Sequence, residues 1–332
     1  MFLWYQIKYG ASKLTFEGEG IHLETAIGTT KAGRKLLSGA SGMLGAALQT
    51  WMRADGAEIV QLVRREPEQI GELRWDPSGE GGFAETETLE GLSAAIHLSG
   101  ANLAAHRWTP AYRREIAASR VDSTRALATA LAGLRNPPPV LLVASATGIY
   151  GDRGDEVLTE DSELGTGFLA EVCRAWEAAA RPAVEAGIRV VHLRFGVVLA
   201  AGAGALGKMT PLFRLGLAGR LGSGGQWMSW IALEDLTAAV GFILKSPEIV
   251  GAVNLTAPHP VTNSEFTRAM GRVLHRPALL PAPAFALRLA VGQMADEALL
   301  SSARVMPSRL TAAGFQFARP TIESALAAAL RR

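Results

Sequence analysis

A single cysteine, Cys173, stands in 332 residues. That excludes an internal disulfide framework and any zinc or iron–sulfur site built on several thiolates. The six histidines fall in no H-x-x-x-H or H-E-x-x-H arrangement, so no motif supports a metal site and none is expected. Charge of one sign is also missing: 33 lysines and arginines against 31 carboxylates leave a formal +2. A balance this close builds no basic field, and nucleic acid is not expected as a partner. Long apolar runs are absent too. Arg189, Arg194 and Arg288 cut the apolar stretches well short of the ~18 residues of a membrane span, so no membrane partner is expected. Apolar residues are nonetheless abundant, 48% against 19% charged, enough for a sizeable core in one large or two modest domains. The expectation is a soluble, cytoplasmic protein, monomer or homodimer, that works on small molecules.

Residues 1–33 read differently from the rest. Lys13, Glu17, Glu19 and Glu24 argue against the acid-poor character of a transit peptide, and no apolar stretch follows a basic start as in a secretory signal. Alternation over Lys13–Glu17 suggests a short edge strand or a hairpin. The segment is treated as an appendage.

From Lys35 onward short apolar runs alternate with longer amphipathic ones. Strands are predicted at Leu36–Ser38, Ile59–Val63, Ala95–Leu98, Val140–Ala144, Val190–Phe195 and Ala252–Leu255. Their continuous apolarity suits strands buried on both faces. Between the first two, Leu44, Ala47, Leu48, Trp51 and Met52 form one stripe at helical spacing. Thr109-Pro110 opens a helix as cap and first-turn proline, running to about Leu134. Helices also fit Phe168–Gly187, kinked at Pro182, and Glu234–Ser246. Such alternation means a parallel sheet with right-handed crossovers. After residue 257 the pattern turns helical without buried strands. Thr262-x-x-Glu265 is a capping box, and Phe285–Val305 and Ile322–Leu330 read as further helices beyond the Pro277–Pro283 link.

The most informative segment is Gly39-Ala40-Ser41-Gly42-Met43-Leu44-Gly45, after the first strand and opening the first helix. Residues without Cβ let backbone amides approach a pyrophosphate, and the helix start supplies unpaired N–H donors and a favourable dipole. Gly45 would let the helix pack closely. Where a site that prefers NAD places a carboxylate, the second strand ends in Arg64-Arg65. A guanidinium there suits a 2′-phosphate and hence NADP(H); the alternative is a solvated basic pair. Gly202–Lys208 has the spacing of a P-loop but continues with Met209, which lacks the hydroxyl that Mg²⁺ needs.

These segments resemble the extended short-chain dehydrogenase/reductase superfamily. The branch is that of NAD(P)-dependent epimerase-like proteins with a C-terminal domain of unknown function. The glycine loop carries the resemblance, together with His97–Asn102, Ser119-Arg120, Ser145–Glu156, Gly167–Glu177, Gly222–Ile231 with Asp235-Leu236, and the tail around Val305–Pro307 and Ala313–Phe315. It spans about Lys35 to Leu330. It implies an α/β fold, a Rossmann-like doubly wound parallel sheet with a smaller, mostly helical C-terminal substrate lobe. The cofactor domain would cover 35–200 with a contribution from 230–256, and the helical domain 257–332.

Carried over residue by residue, the resemblance implies NADP(H) contacts from Gly39, Ser41, Gly42, Met43, Leu44, Gly45, Arg64, Leu98, Ser99, Gly100, Glu115, Arg120 and Arg194; the alternative for Arg120 and Arg194 is a surface or ion-paired arginine. The catalytic pattern departs from the family's. A Tyr-x-x-x-Lys pair normally passes the proton and orients the ribose. Here Leu169 and Cys173 hold those places, Ala146 the Ser/Thr place and Arg120 the Asn place. Substitutes near the strand end are Ser145, Thr147 and Tyr150; Cys173 reads as a core residue or a thiol acid. Gln226, Trp227 and Trp230 read as a substrate lining or as lobe packing. Two functions follow: an NADP-dependent oxidoreductase or epimerase, of which a nucleotide-linked sugar is one implied substrate, or a non-catalytic NADP(H)-binding sensor.

Overall fold

The computed structural model describes residues 33–77, 82–83 and 86–330. The expected appendage and its strand at 13–17 thus fall almost wholly outside the described residues. From β1 (Lys35–Ser38) the chain turns through the glycine loop into α1 (Met43–Ala54), then β2 (Ile59–Val63) and a short β3 (Glu72–Arg74). Next come β4 (Ala94–His97), the long α2 (Pro110–Ala132) and β5 (Val140–Ala146), which ends in a 3-10 turn at Thr147–Tyr150. The short β6 (Val157–Leu158) precedes α3 (Phe168–Ala178), α4 (Arg181–Glu185), β7 (Arg189–Phe195), β8 (Val197–Leu199) and α5 (Gly204–Arg214). The chain continues as β9 (Trp227–Met228), β10 (Trp230–Ala232), α6 (Leu233–Lys245), β11 (Gly251–Leu255) and β12 (Val261–Thr262). It closes with α7 (Asn263–Leu274), α8 (Ala284–Val291), β13 (Arg304–Val305), α9 (Ser308–Ala312) and α10 (Ile322–Leu330).

Seven strands form one sheet in the order β11-β7-β5-β4-β1-β2-β3, all parallel. The order reverses between β1 and β4. Ligands of open α/β sheets collect at that point, beyond the carboxyl ends of the strands. One face of the sheet packs on Leu48 and Met52 of α1 and Val240 and Ile243 of α6. The other packs on Leu127 and Leu131 of α2 and Trp176 of α3. Each fully buried side chain of this kind contributes roughly 1.5–3 kcal/mol, so the strand ends rest on a two-sided core. A third cluster, with Phe213, Trp230, Phe266 and Leu326, holds the C-terminal lobe together.

The predicted caps form: Thr109 accepts from the Tyr112 amide with Pro110 in the first turn, and Thr262 and Glu265 close a reciprocal capping box. Three expectations need correction. The predicted helix 168–187 is two helices, with Pro182 in the first turn of α4, where its missing N–H costs nothing. The predicted helix 285–305 stops at Gly292, φ +66°, and resumes only as a π-helical turn at Ala295–Leu299 before β13 pairs with β6. In the stretch read as having no buried strands, β12 is half-buried as that reading allows, but β13 buries Val305.

Candidate functional site

The glycine loop lies at the sheet's reversal point. A Cβ on Gly39 would stand 2.8 Å from the backbone carbonyl of Leu98, and one on Gly45 only 2.2 Å from the carbonyl oxygen of Gly39. Neither position can carry a side chain, because backbone and not a flexible chain end occupies the space. Gly42 starts α1 with no side-chain cap, and the first turn holds no carboxylate. The opening amides of Met43, Leu44 and Gly45 are therefore left as donors at the positive end of the helix. Ser41 and Gly42 are exposed beside them. An anion fits here.

A buried chain of hydroxyls fixes the facing loop. Ser123 Oγ, on α2, donates to Ser119 O at 2.7 Å and so accepts from His97 Nε2 at 3.1 Å. His97 Nδ1 is then the acceptor for Ser38 Oγ at 2.6 Å, while Ser38 Oγ takes the Leu98 amide at 3.1 Å. Burial drives the His97 pKa down to about 3, so the ring is neutral, as this hydrogen-bond pattern requires. Sequence reading missed the device; His97 and Ser38 look like ordinary strand residues until β1 and β4 are paired. Leu98, Ser99 and Gly100 follow directly, half-buried or exposed.

Arg120 leans on this loop. Its guanidinium carbon would lie 3.2 Å from a Cβ on Gly100 and lies 5.2 Å from the Trp176 ring centre. It donates to Ile116 O at 3.0 Å and Ala101 O at 2.9 Å. An arginine carries five N–H donors, so three remain without a partner among the described residues. Burial lowers its pKa, and among the described residues no carboxylate pairs with it. Glu115, expected to act beside it, is exposed; five positions along a helix put it on a different side from Arg120.

The two arginines after β2 separate cleanly. Arg65 clasps Glu72 of β3 through both terminal nitrogens, 2.6 and 2.8 Å. That hydrogen bond, first of all, brings the Glu72 carboxyl down to about 2. Arg64 is exposed and has no polar partner among the described residues.

At the end of β5 the geometry is closed. Arg194 holds Glu177 through two hydrogen bonds of 2.8 and 2.9 Å and donates to the Tyr150 hydroxyl at 2.9 Å. Tyr150 in turn donates to Asn254 Oδ1 at 2.8 Å, and Ser145 donates to Glu177 at 2.7 Å. Burial works against the charged form of Glu177, yet the Arg194 guanidinium overrides it and holds the carboxyl below its usual range.

Three expectations change in consequence. Arg194 is an internal ion-pair partner and not a free cofactor contact. Tyr150 is fully enclosed, and burial raises its pKa. Ser145 is buried with its proton already engaged. Cys173 is core, its thiol pushed up to about 12, chiefly by burial. Thr147 is half-buried, and its hydroxyl has no hydrogen bond among the described residues.

Of the residues read as a substrate lining or as lobe packing, Trp230 and Gln226 are buried in the lobe and Trp227 is half-buried. Trp230 is completely buried in the lobe core, and its Nε1 donates to His259 O. Buried Gln226 donates to Leu221 O and Leu299 O. Trp227 is covered by Arg304, 4.3 Å from the ring centre, and donates to Asp155. A carboxylate that sequence reading passed over, Glu297, accepts from the Phe168 and Leu169 amides at 3.0 and 3.1 Å, capping α3 from the C-terminal lobe across 128 residues. Among the described residues no cluster of His, Cys, Asp or Glu could hold a metal ion, and no helix is long and apolar enough to cross a membrane.

Comparison with known proteins agrees with this layout. The model of the NAD dependent epimerase/dehydratase family matches residues 35–255. The chain belongs to that family. A domain of unknown function, DUF1731, matches residues 282–329 of this epimerase-family chain. An epimerase family protein of Mycobacterium bovis is 45% identical over 296 residues, 89% of this chain and 97% of its own. The epimerase family protein SDR39U1 of Bos taurus is 35% identical over 298 residues, covering 88% and 98%. Among solved structures, human SDR39U1 (isoform 2) with NADPH superposes with a TM-score of 0.83 at 32% identity, over 90% of this chain and 99% of that one. A nucleoside-diphosphate sugar epimerase from Corynebacterium glutamicum gives 0.74 at 35% identity, over 91% of this chain and 59% of that one. The epimerase-family chain thus has the Rossmann-like NAD(P)-binding fold with a helical C-terminal region, as the resemblance implied.

Proposed function

We propose that this epimerase-family chain is an NADP(H)-dependent oxidoreductase or epimerase that works without the usual tyrosine–lysine relay. The observation that carries the cofactor choice is the division of labour after β2: Arg65 is tied to Glu72 while Arg64 stands free. Arg64 would meet the 2′-phosphate with paired charged hydrogen bonds. The amides of Met43, Leu44 and Gly45, with Ser41, would hold the pyrophosphate. Leu98–Gly100, fixed through Ser38 and His97, would back the nicotinamide half. That human SDR39U1 was crystallised with NADPH supports the same reading.

The bound nicotinamide would supply hydride at its C4 position. The chain's own contribution to the reaction would come from Arg120 and Thr147. Three unengaged N–H groups of a half-buried cation can stabilise an oxyanion as it develops, without giving up a proton. Thr147 would pass a proton between water and that oxygen. The substrate is then a small molecule with a hydroxyl or carbonyl centre. A second reading, a redox-sensing NADP(H)-binding protein, is favoured by one observation: Leu169 and the inert Cys173 occupy the relay positions.

The test uses NADPH deuterated at C4 with a pool of small carbonyl metabolites, read by mass spectrometry. Label in a product supports the oxidoreductase. Firm NADPH binding with no label in any product moves the assignment to the sensor. Absence of NADP(H) binding removes both.

A further inference from the structure

Seven of the chain's cations lie in two segments without a single carboxylate. Gly204–Leu233 carries Lys208, Arg214 and Arg220, and Phe266–Ala295 carries Arg268, Arg272, Arg276 and Arg288. For a protein whose overall charge is only +2, this is a concentrated positive region. The fold lays the segments side by side. Leu280 N donates to Ala218 O, Ala282 N to Arg220 O, and Gly222 N to Ala282 O; Gly216 abuts Pro277. Carboxylates from elsewhere offset part of the charge. Arg272 pairs with Glu323 at 2.5 Å and Arg288 with Asp296 at 2.9 Å. Glu265, nearest to Arg268, is engaged in its own capping box. Arg220 and Arg268 have no ion pair among the described residues.

Large apolar side chains protrude from the same strip. Leu215 is 70% exposed, Leu279 80%, Phe285 72% and Leu289 75%. Helix α8, Ala-Phe-Ala-Leu-Arg-Leu-Ala-Val, has no buried residue at all, so its apolar character does not serve this chain's own core. Leu279 also lines a groove of about 760 Å³ with Arg268, Arg272, His275, Arg276 and Pro277. A second hollow of about 300 Å³ adds Arg220 and shares Arg268 and Leu279.

Protruding apolar groups in a cation-rich region, where Arg220 and Arg268 have no ion pair among the described residues, call for a partner that is anionic and apolar at once. A second copy of this face would bring a second set of cations and no surplus carboxylate, so like-charge repulsion opposes a two-fold pairing through it. We infer that this face of the C-terminal lobe docks on an anionic lipid bilayer, with Leu279, Phe285 and Leu289 entering the acyl boundary and the arginine groove receiving lipid phosphates. Isolated side chains standing 70–80% clear of the surface suit a fluid medium that closes around each of them; a rigid protein partner needs matching pockets. Absence of long apolar runs, which led to the expectation of no membrane partner, bears on spanning helices only. A face assembled from two separate segments leaves no such run. This inference does not depend on the cofactor reading.

The full chain is spun with vesicles of phosphatidylglycerol and phosphatidylcholine in equal parts, and with phosphatidylcholine alone. Sedimentation with the first, not with the second, and release by salt are expected. Arg220→Gln with Arg268→Gln should weaken binding about thirtyfold, since each cation near an anionic surface contributes about a fivefold preference. Leu279→Ser, Phe285→Ser and Leu289→Ser together should abolish the binding that survives in high salt; circular dichroism checks that each exposed variant still folds. No sedimentation with anionic vesicles overturns the inference. So does binding that both sets of substitutions leave unchanged, which would place the contact elsewhere in the chain. Capture of polyglutamate without capture of vesicles also overturns it, in favour of an acidic protein partner.

Discussion

The reversal point between β1 and β4 and the end of β5 sit on neighbouring strands of one sheet, yet they differ in what they leave unsatisfied. At the first, backbone amides open α1 without a side-chain cap, and among the described residues Arg64 has no polar partner and three donors of Arg120 stay unengaged. At the second, Glu177, Arg194, Tyr150, Asn254 and Ser145 satisfy one another in the interior. Binding sites made of backbone geometry need only glycines and a helix start, and these have stayed open. A relay made of side chains needs specific hydroxyls and amines, and here such groups have become packing. The family's backbone frame at the reversal point is thus present while the polar side chains at the end of β5 serve the interior.

The largest test breaks the closed half. Glu177→Ala leaves Arg194 buried without a counter-charge, which costs about 3–5 kcal/mol in chemical denaturation. Glu177→Gln, which keeps hydrogen-bonding atoms, should cost less. Equal, small losses would mean that the pair is not a structural element. The open half is tested by Arg64→Glu. NADP(H) binding should weaken by about 1.5–3 kcal/mol, about tenfold to a hundredfold, in a calorimetric titration, and NAD(H) binding should not. Matching losses for both cofactors would remove Arg64 from the 2′-phosphate.

A third test uses pH. His97 is neutral in the fold because burial lowers its pKa from 6.5 to about 3, while the unfolded chain titrates near the ordinary value. Below pH 6.5 the unfolded state therefore binds more protons, and stability falls as pH drops from 6.5 toward 3. At pH 5 the loss is about 2 kcal/mol, read from urea midpoints. His97→Gln should flatten that limb while leaving the arginine clasp at Glu177 intact. The smallest effect is expected at Cys173. Its thiol, pushed up to about 12, should resist alkylation in the folded state, and Cys173→Ala should change any turnover by less than about twofold and stability by about 1 kcal/mol. A large loss of turnover at unchanged stability would make it a thiol acid after all.

How much of this was legible in sequence follows from how local each signal is. The six long strands, the caps at Thr109 and Thr262 and the glycine loop were readable because each depends on neighbours within a few residues. Helix 285–305 was misread because apolar periodicity says nothing of Gly292 at φ +66° or of β13 reaching back to β6. The roles of Arg64 and Arg65 could not be divided, since Glu72 becomes a partner only once β3 pairs with β2. Trp230 and Gln226 looked like a lining because a Trp-rich turn carries no mark of which way it faces.

The order of the chain therefore determined the parallel sheet, its switch point and the need for bare backbone at Gly39 and Gly45, all consequences of short-range sterics and periodicity. Tertiary structure alone decided which charges meet. Glu177 and Arg194 are 17 residues apart, and Glu297 caps a helix from 128 residues away. Electrostatic partnership falls off over a few ångströms of space, whatever the separation along the chain.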